Sequence, residues 1–183
     1  LMERMFCCME GKSRTHFLCV RYGNVAWSTG SVLGIWRKML SQQGFIGTTG
    51  PEMFRYFFTV DEAVDLVVTA LKHAADLYGK VLSRQMKAAQ LEDILKVWTA
   101  QEGKRYERIS GRPGERNEEY LIGELELPYS HAIDIDGIQH YIITFNEKVD
   151  KPLQTVLSSV NAKRLTVEEI TTIINNPPVE ELY

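Results

Sequence analysis

The sequence is short of the features that would place it in several large classes. It has three cysteines, Cys7, Cys8 and Cys19, an odd number confined to the first twenty residues, and that is no disulfide framework. Their spacing, with Cys7 and Cys8 adjacent, matches no common zinc pattern even when His16 is added, so buried thiols are expected and no metal site is. Basic residues are not in excess: 21 Lys and Arg against 24 Asp and Glu leave a net charge of −3. With no long Lys/Arg run either, there is no general attraction for nucleic acid or for an acidic membrane, and any recognition of phosphate has to be local. No apolar run approaches the roughly 18 residues of a membrane span, and the first residues lack the apolar core of a signal peptide. These absences lead to the expectation of a soluble, cytoplasmic protein. Internal repeats and low-complexity stretches are missing as well.

What is present is an ordinary globular composition, 44% hydrophobic and 25% charged over 183 residues, enough for one core of usual size or one and a half small ones. Leu1 is not an initiator methionine. Residues 1–10 read as the middle of an amphipathic helix with no N-cap, with Leu1, Met2, Met5 and Phe6 as an apolar face that should pack on something. The expectation is that residues upstream are missing from the chain.

Farther on, helices and strands alternate. His16 to Val20 is a continuous apolar run suited to a strand buried on both faces. Ser31 is placed to cap a helix to about residue 42, with Val32, Leu33, Ile35, Trp36, Met39 and Leu40 facing inward. Residues 44–51 read as a loop and 54–59 as a short extended piece. Thr59 and Glu62 have the spacing of a capping box, opening a helix whose buried stripe is Ala63, Val64, Leu66, Val67, Ala70 and Leu71. A strand over 80–84, a helix over 91–101 and a strand over 106–109 complete a βαβα order that predicts an α/β domain with a mainly parallel sheet. Extended segments at 120–127 and 140–145 follow, and Thr166 opens a last short helix that stops at Asn175, Asn176 and two prolines.

Two turn segments carry the chemistry. Arg112, Pro113, Gly114, Glu115 and Arg116 form one, and Arg21, Tyr22, Gly23, Asn24 and Val25, about ninety residues earlier, the other; they look like opposite walls of one anion pocket. Pro113 and Gly114 favour a sharp bend, which would let the flanking arginines and the carboxylate fork onto a diphosphate and a sugar or ribose hydroxyl. The same residues read alone are a solvated turn with a surface charge cluster.

Three segments in order resemble a known family. Val20 to Val25 followed by Gly30, Ser31 and Val32, then residues 52–64 around Met53, Phe54, Arg55 and Tyr56, then residues 109–115, resemble extended short-chain dehydrogenase/reductases that act on nucleotide sugars. The subgroup is the capsular polysaccharide type, UDP-N-acetylglucosamine 4,6-dehydratases and their 4-epimerase relatives. The likeness runs from about residue 1 to 127. It implies the C-terminal part of a Rossmann-like doubly wound parallel sheet, plus a smaller mixed α/β substrate-binding region. By that likeness residues 1–127 hold the end of the NAD(P)-binding domain interleaved with the nucleotide-sugar-binding region, and residues 128–183 form a C-terminal extension of short strands and a helix.

The resemblance also implies roles. Tyr22 would sit beside the nicotinamide, and Asn24 would face the phosphate or sugar of the substrate, though Asn is also a common turn residue. Arg55 would contact the nucleotide phosphates, Arg112 the diphosphate, and Glu115 the ribose hydroxyls. Gly30 and Ser31 would offer backbone amides at a helix N-terminus, where anions bind favourably; Ser31 serves equally as a plain cap. The chain departs from the family pattern at Thr29, Gly50, Phe54 and Arg116. It contains neither the Gly-rich cofactor turn nor the Tyr-x-x-x-Lys pair that does the chemistry, so no catalytic residue and no metal ligand is assigned.

The implied whole enzyme, dependent on NAD(P) that this chain alone would not retain, oxidises a UDP-sugar at C4 by hydride transfer to the cofactor and then either eliminates water across C5 and C6 and returns the hydride to C6, or returns it to C4 as an epimerase. The implied partners are a UDP-sugar, with no nucleic acid and no membrane, and a second copy of the chain in a homo-oligomer. A non-catalytic module that binds a nucleotide sugar or another subunit, and a structural α/β domain whose arginine loops are surface turns, remain the alternatives.

Overall fold

The computed structural model describes residues 2–111 and 114–177. In chain order the first half holds α1 (Met2–Cys7), β1 (Cys19–Arg21), β2 (Asn24–Val25), α2 (Val32–Gln43), β3 (Phe45–Thr48), β4 (Phe54–Phe58), α3 (Val60–Lys72), α4 (Ala74–Leu77) and β5 (Val81–Arg84). After these come β6 (Lys87–Gln90), α5 (Leu91–Glu102), β7 (Arg105–Arg108), β8 (Tyr120–Ile122), a 3-10 helix at Glu124–Tyr129, β9 (Ser130–Ile135), β10 (Ile138–Ile143), β11 (Leu157–Ser158) and α6 (Val167–Asn175). The architecture is α/β. Three strand pairs run parallel, β1 with β5, β2 with β4 and β3 with β7, while the others are antiparallel, so the sheets are mixed where the βαβα order predicts mainly parallel ones. None of the helices among the described residues is long and apolar enough to cross a membrane.

Contacts divide the chain into two units. The first consists of Leu1–Gly23, Asp61–Met86 and Tyr120–Ser158, and the second of Asn24–Val60, Lys87–Glu119 and Ser159–Tyr183.

In the first unit the sheet order is β1-β5-β10-β9. The two central strands are the most deeply buried, with Val81, Leu82 and Ser83 of β5 and Ile143 of β10 sealed from solvent, as strands covered on both faces should be. The apolar run at 16–20 gives less strand than expected. β1 begins at Cys19, is half-buried throughout, and His16 is exposed, because among the described residues β1 is an edge strand paired with β5 alone. Asp136 and Gly137, both at positive φ (54° and 78°), make the two-residue turn between β9 and β10, a conformation that matches the strand twist. The extended segment expected at 120–127 stops at Ile122, where the 3-10 helix takes over.

Two apolar faces differ from the periodicity argument. In α3, Leu66 and Ala70 are buried, whereas Val64, Val67 and Leu71 are exposed; the helix carries two apolar stripes and the unit covers one. Helix α1 is shorter than residues 1–10, and Met2, Met5 and Phe6 are exposed while Cys7 is buried. All three cysteines are free, with Cys8 and Cys19 half-buried. Burial first, then the neighbouring Cys19, pushes the Cys7 thiol up to about 12.

Arg21, at the end of β1, closes this unit. Its guanidinium forks onto Glu3 of α1 (Nε to Oε1 2.9 Å, Nη2 to Oε2 2.5 Å) and onto Glu126 of the 3-10 helix (Nη1 to Oε2 2.9 Å, Nη2 to Oε1 2.8 Å). Nη1 also donates to the Leu121 carbonyl at 2.7 Å.

The second unit is built on the sheet β2-β4-β6 and the pair β3 and β7. Its core joins α2, α5 and α6 through Leu33, Trp36, Leu95, Trp98, Ile170 and Ile174, with Phe57 from the sheet. Helices α2 and α5 each end on a left-handed glycine, Gly44 (φ 74°) and Gly103 (φ 60°), the usual chirality change at a helix end. Thr166 caps α6 with a reciprocal box: its hydroxyl accepts from the Glu169 N–H at 3.2 Å, and the Glu169 carboxylate accepts from the Thr166 N–H at 2.9 Å. The segment 44–51, expected as a loop, contains β3, which lies parallel to β7 from Phe45 opposite Arg105 to Thr48 opposite Arg108.

Candidate functional site

Most of the residues singled out in the sequence fall in the second unit. Strand β2 lies parallel to β4 with Asn24 opposite Phe57, which brings the Asn24 side chain to the backbone of Tyr56. Its Nδ2 donates to the Tyr56 carbonyl at 3.2 Å and to both oxygens of Glu119, at 3.0 and 3.1 Å. The same carboxylate accepts the Tyr56 N–H at 3.1 Å, and the Arg55 Nε faces it at 3.6 Å. One carboxylate thereby gathers an amide, a guanidinium and a main-chain donor.

Arg55 is the best anchored of the expected residues, with a side chain 17% exposed. Nη1 donates to the Phe54 carbonyl at 2.8 Å, and Nη2 donates to the Arg116 carbonyl at 2.8 Å and to the Met53 Sδ at 3.1 Å. These bonds fasten the segment after Gly114 to β4, and the Phe54 N–H adds to them by donating to the Asn117 carbonyl at 2.8 Å. Three of the five N–H donors of the guanidinium are therefore engaged by the protein itself, one of them on a thioether sulfur.

The other expected residues stand apart from this cluster. Glu115 is exposed and accepts from the Thr49 Oγ1 at 3.0 Å. Gly30, at φ 76°, precedes Ser31, which occupies the N-cap of α2, yet the Ser31 side chain makes no capping bond and its buried Oγ has no partner among the described residues. Tyr22 belongs to the first unit, directly after β1, and is 42% exposed. Arg112 and Pro113 lie outside the described residues. Beside the cluster, Glu52 is held below its ordinary carboxylate range by its own backbone N–H and then by Arg108, whose Nη2 donates to it at 2.6 Å. Among the described residues, none of the groupings of His, Cys, Asp and Glu could hold a metal ion.

Glu119 and Ser159 stand in none of the motifs that mark the other candidates. Glu119 is fixed through its backbone: its N–H donates to the Ser159 Oγ at 2.9 Å, its carbonyl accepts the Ser159 N–H at 2.8 Å, and the Ser159 Oγ donates to the Phe54 carbonyl at 3.0 Å. The only local sign is a pair of glutamates, Glu118 and Glu119, just after Arg116. A cavity of about 390 Å³ in the same unit, lined in part by Trp27, Arg37, Trp98 and Lys104, includes none of the expected residues.

A family model described as "Polysaccharide biosynthesis protein" matches residues 1–140. The chain belongs to this family. It corresponds to the C-terminal portion of an extended short-chain dehydrogenase/reductase of that type. The capsular polysaccharide biosynthesis protein CapD of Staphylococcus aureus is 33% identical over 165 residues, which are 85% of this chain and 27% of that protein. A UDP-glucose 4-epimerase of Rickettsia felis is 28% identical over 180 residues, 92% of this chain and 52% of that protein. Among solved structures, Pen from Bacillus thuringiensis superimposes with a TM-score of 0.80 at 26% identity, covering 94% of this chain and 53% of that one. The chain thus spans about half the length, or less, of these relatives.

Proposed function

We propose that this chain is the substrate-binding part of an NAD(P)-dependent enzyme of polysaccharide biosynthesis, a 4,6-dehydratase or epimerase acting on a UDP-N-acetylhexosamine in the cytoplasm. The observation that carries the reading is the convergence of Asn24 and Arg55 on Glu119 in a family member, two residues that the resemblance associates with the nucleotide sugar. The name of the Rickettsia felis relative supports a UDP-sugar as the ligand. In this reading Asn24 and the segment of Gly114 to Arg116 border the substrate, with Arg55 buttressing that segment against β4, and Arg112 and Glu115 close over the nucleotide. The exposed apolar faces of α1 and α3 serve association, either with a second copy or with the rest of the enzyme.

NAD(P) fits this chain poorly. Tyr22 is the one residue offered to it, and the sequence has no Gly-x-Gly-x-x-Gly turn to cradle a pyrophosphate. In this reading the dinucleotide and the proton-transferring pair are not the work of these residues, and the role of this chain is to bind and orient the sugar nucleotide.

The test is incubation of the protein carrying this chain with UDP-N-acetylglucosamine and NAD, with the products followed by mass spectrometry and sugar NMR. Loss of one water from the sugar identifies the dehydratase, and an isomer of unchanged mass the epimerase. Binding by calorimetry without turnover supports the non-catalytic module. Absence of both binding and turnover across UDP-hexoses and UDP-N-acetylhexosamines sinks the proposal.

A further inference from the structure

Asn24 is exposed, yet the orientation of its amide is not free. Both amide protons are engaged inward, one by the Tyr56 carbonyl and the other by the Glu119 carboxylate. With acceptors on that side, the amide can be seated in only one sense: turned over, its carbonyl would face a carboxylate and a main-chain carbonyl. The Asn24 Oδ1 therefore points away from them, and it makes no hydrogen bond among the described residues. Glu119 can impose this orientation because its own position is over-determined, by two backbone bonds with Ser159 and by the Tyr56 N–H on its side chain.

An outward carbonyl oxygen attracts hydrogen-bond donors and repels phosphate oxygens. A diphosphate has no donor to offer at neutral pH, whereas a sugar ring offers hydroxyls and an acetamido N–H. We propose that Glu119 is a positioning residue: it holds Asn24 with its carbonyl outward, so that Asn24 reads a hydroxyl or N–H donor of the sugar and not the diphosphate. This rests on the nucleotide-sugar reading above and assigns to Asn24 one of the two ligand groups that the resemblance leaves open.

The experiment uses the protein carrying this chain and compares UDP with UDP-N-acetylglucosamine, by calorimetry and by steady-state kinetics. The variants are Glu119→Gln, Asn24→Ala and the pair together. Glutamine has one carbonyl oxygen and one amide nitrogen where glutamate has two acceptors, so the hold on the Asn24 amide then rests mainly on the Tyr56 carbonyl and its orientation is no longer fixed from both sides. Each single variant is expected to weaken UDP-N-acetylglucosamine binding about tenfold, the loss of one well-placed hydrogen bond, while the affinity for UDP stays within twofold. The double variant should be no worse than the worse single one, because Glu119 acts through Asn24.

Equal weakening of UDP and of the UDP-sugar in either variant would place Asn24 on the nucleotide and overturn the inference, as would additive losses in the double variant. A Glu119→Gln protein that melts earlier yet binds the sugar nucleotide normally would make Glu119 merely structural. Asn24→Ala removes an exposed side chain and keeps the comparison available even if Glu119→Gln folds poorly. Failure of the wild-type protein to bind any UDP-sugar defeats the functional reading itself and the sugar contact with it, and is told apart from failure of the inference alone, in which the wild type binds and the variants bind equally well.

Discussion

Replacing Arg21 by alanine should cost the first unit about 2–3 kcal/mol, and the figure follows from its contacts. The guanidinium is 17% exposed and forks onto two carboxylates that are themselves about a third exposed, Glu3 at 33% and Glu126 at 30%. Removing one partner of a fully buried pair costs about 3–5 kcal/mol, mostly because the remaining charge is left without compensation. Here two carboxylates and the Leu121 carbonyl would lose their common donor, but water reaches both carboxylates, which trims the cost toward the lower end. For a chain of this size the melting temperature should drop by about 4–12 °C. Far-UV circular dichroism in urea is the right assay, because Trp27, Trp36 and Trp98 all lie in the second unit and their fluorescence does not report on the first. Arg21→Lys keeps the charge but not the forks, so an intermediate loss is expected. The acid side provides a second check. Burial opposes ionisation of Glu126, but the hydrogen bonds and charge of Arg21 outweigh it and leave the carboxyl below its ordinary 4.5. That contribution is complete above 4.5 and disappears as the pH falls through the lower, folded-state value, and in Arg21→Ala this loss on acidification should shrink. An Arg21→Ala protein within about 0.5 kcal/mol of the wild type would refute the reasoning, since the network would then be no more than an exposed ion pair.

Three further outcomes are expected. Burial, ahead of any charged neighbour, holds His140 below its ordinary 6.5, so the stability tied to its neutral form is complete above 6.5 and declines as the pH falls below it, by at most about 1.4 kcal/mol per pH unit for one proton; urea midpoints taken between pH 7.5 and 5.5 should fall, and less steeply in His140→Gln. Thr166→Ala should cost about 0.5–2 kcal/mol by removing the α6 cap, read from tryptophan fluorescence because Trp27 donates its indole N–H to the Ile173 carbonyl at 2.7 Å. Gly50→Ala should destabilise the second unit by about 1–3 kcal/mol in the same assay, because a Cβ there would stand 2.5 Å from the Cε and 2.9 Å from the Cγ of the buried Met53.

The elements that were legible in the sequence are those with a signal inside their own span. Helix α5 fills the expected 91–101 and one residue more, and the box of Thr166 and Glu169 marks the start of α6. Strand β3 was hidden because Gly44, Gly47 and Gly50 punctuate it like a loop, and only β7, some sixty residues later, makes it a strand. Strand β6 has the weak strand formers Lys87, Ala88, Ala89 and Gln90, and it extends because β4 offers an antiparallel partner from Phe54 opposite Gln90 to Phe57 opposite Lys87. Asp136 and Gly137 are a local hairpin signal, Asp-Gly between two apolar runs, and the turn forms there. In α3 the period identified the helix but could not say which of two apolar stripes the unit would cover, since that depends on what packs beside it.

The candidate site divides along the same line. Residue types announce which donors and acceptors a segment owns, and it is the family resemblance of their short motifs that directs attention to Asn24 and Arg55. How those groups are turned is decided by acceptors far away in the chain. Arg55 is directed toward Arg116, 61 residues on, and the Asn24 amide is directed by Glu119, 95 residues on. An asparagine can present either a donor or an acceptor to a ligand, and the two choices recognise opposite chemistry, a phosphate oxygen in one case and a sugar hydroxyl or N–H in the other. Nothing within the motif around Asn24 selects between them, because the selecting acceptors, the Tyr56 carbonyl and the Glu119 carboxylate, lie 32 and 95 residues on. Under the proposal above, specificity at this position belongs to Asn24 together with the Tyr56 carbonyl and Glu119, so a family member that kept the asparagine but replaced the glutamate with a hydrogen-bond donor would be expected to hold its amide less firmly in this sense.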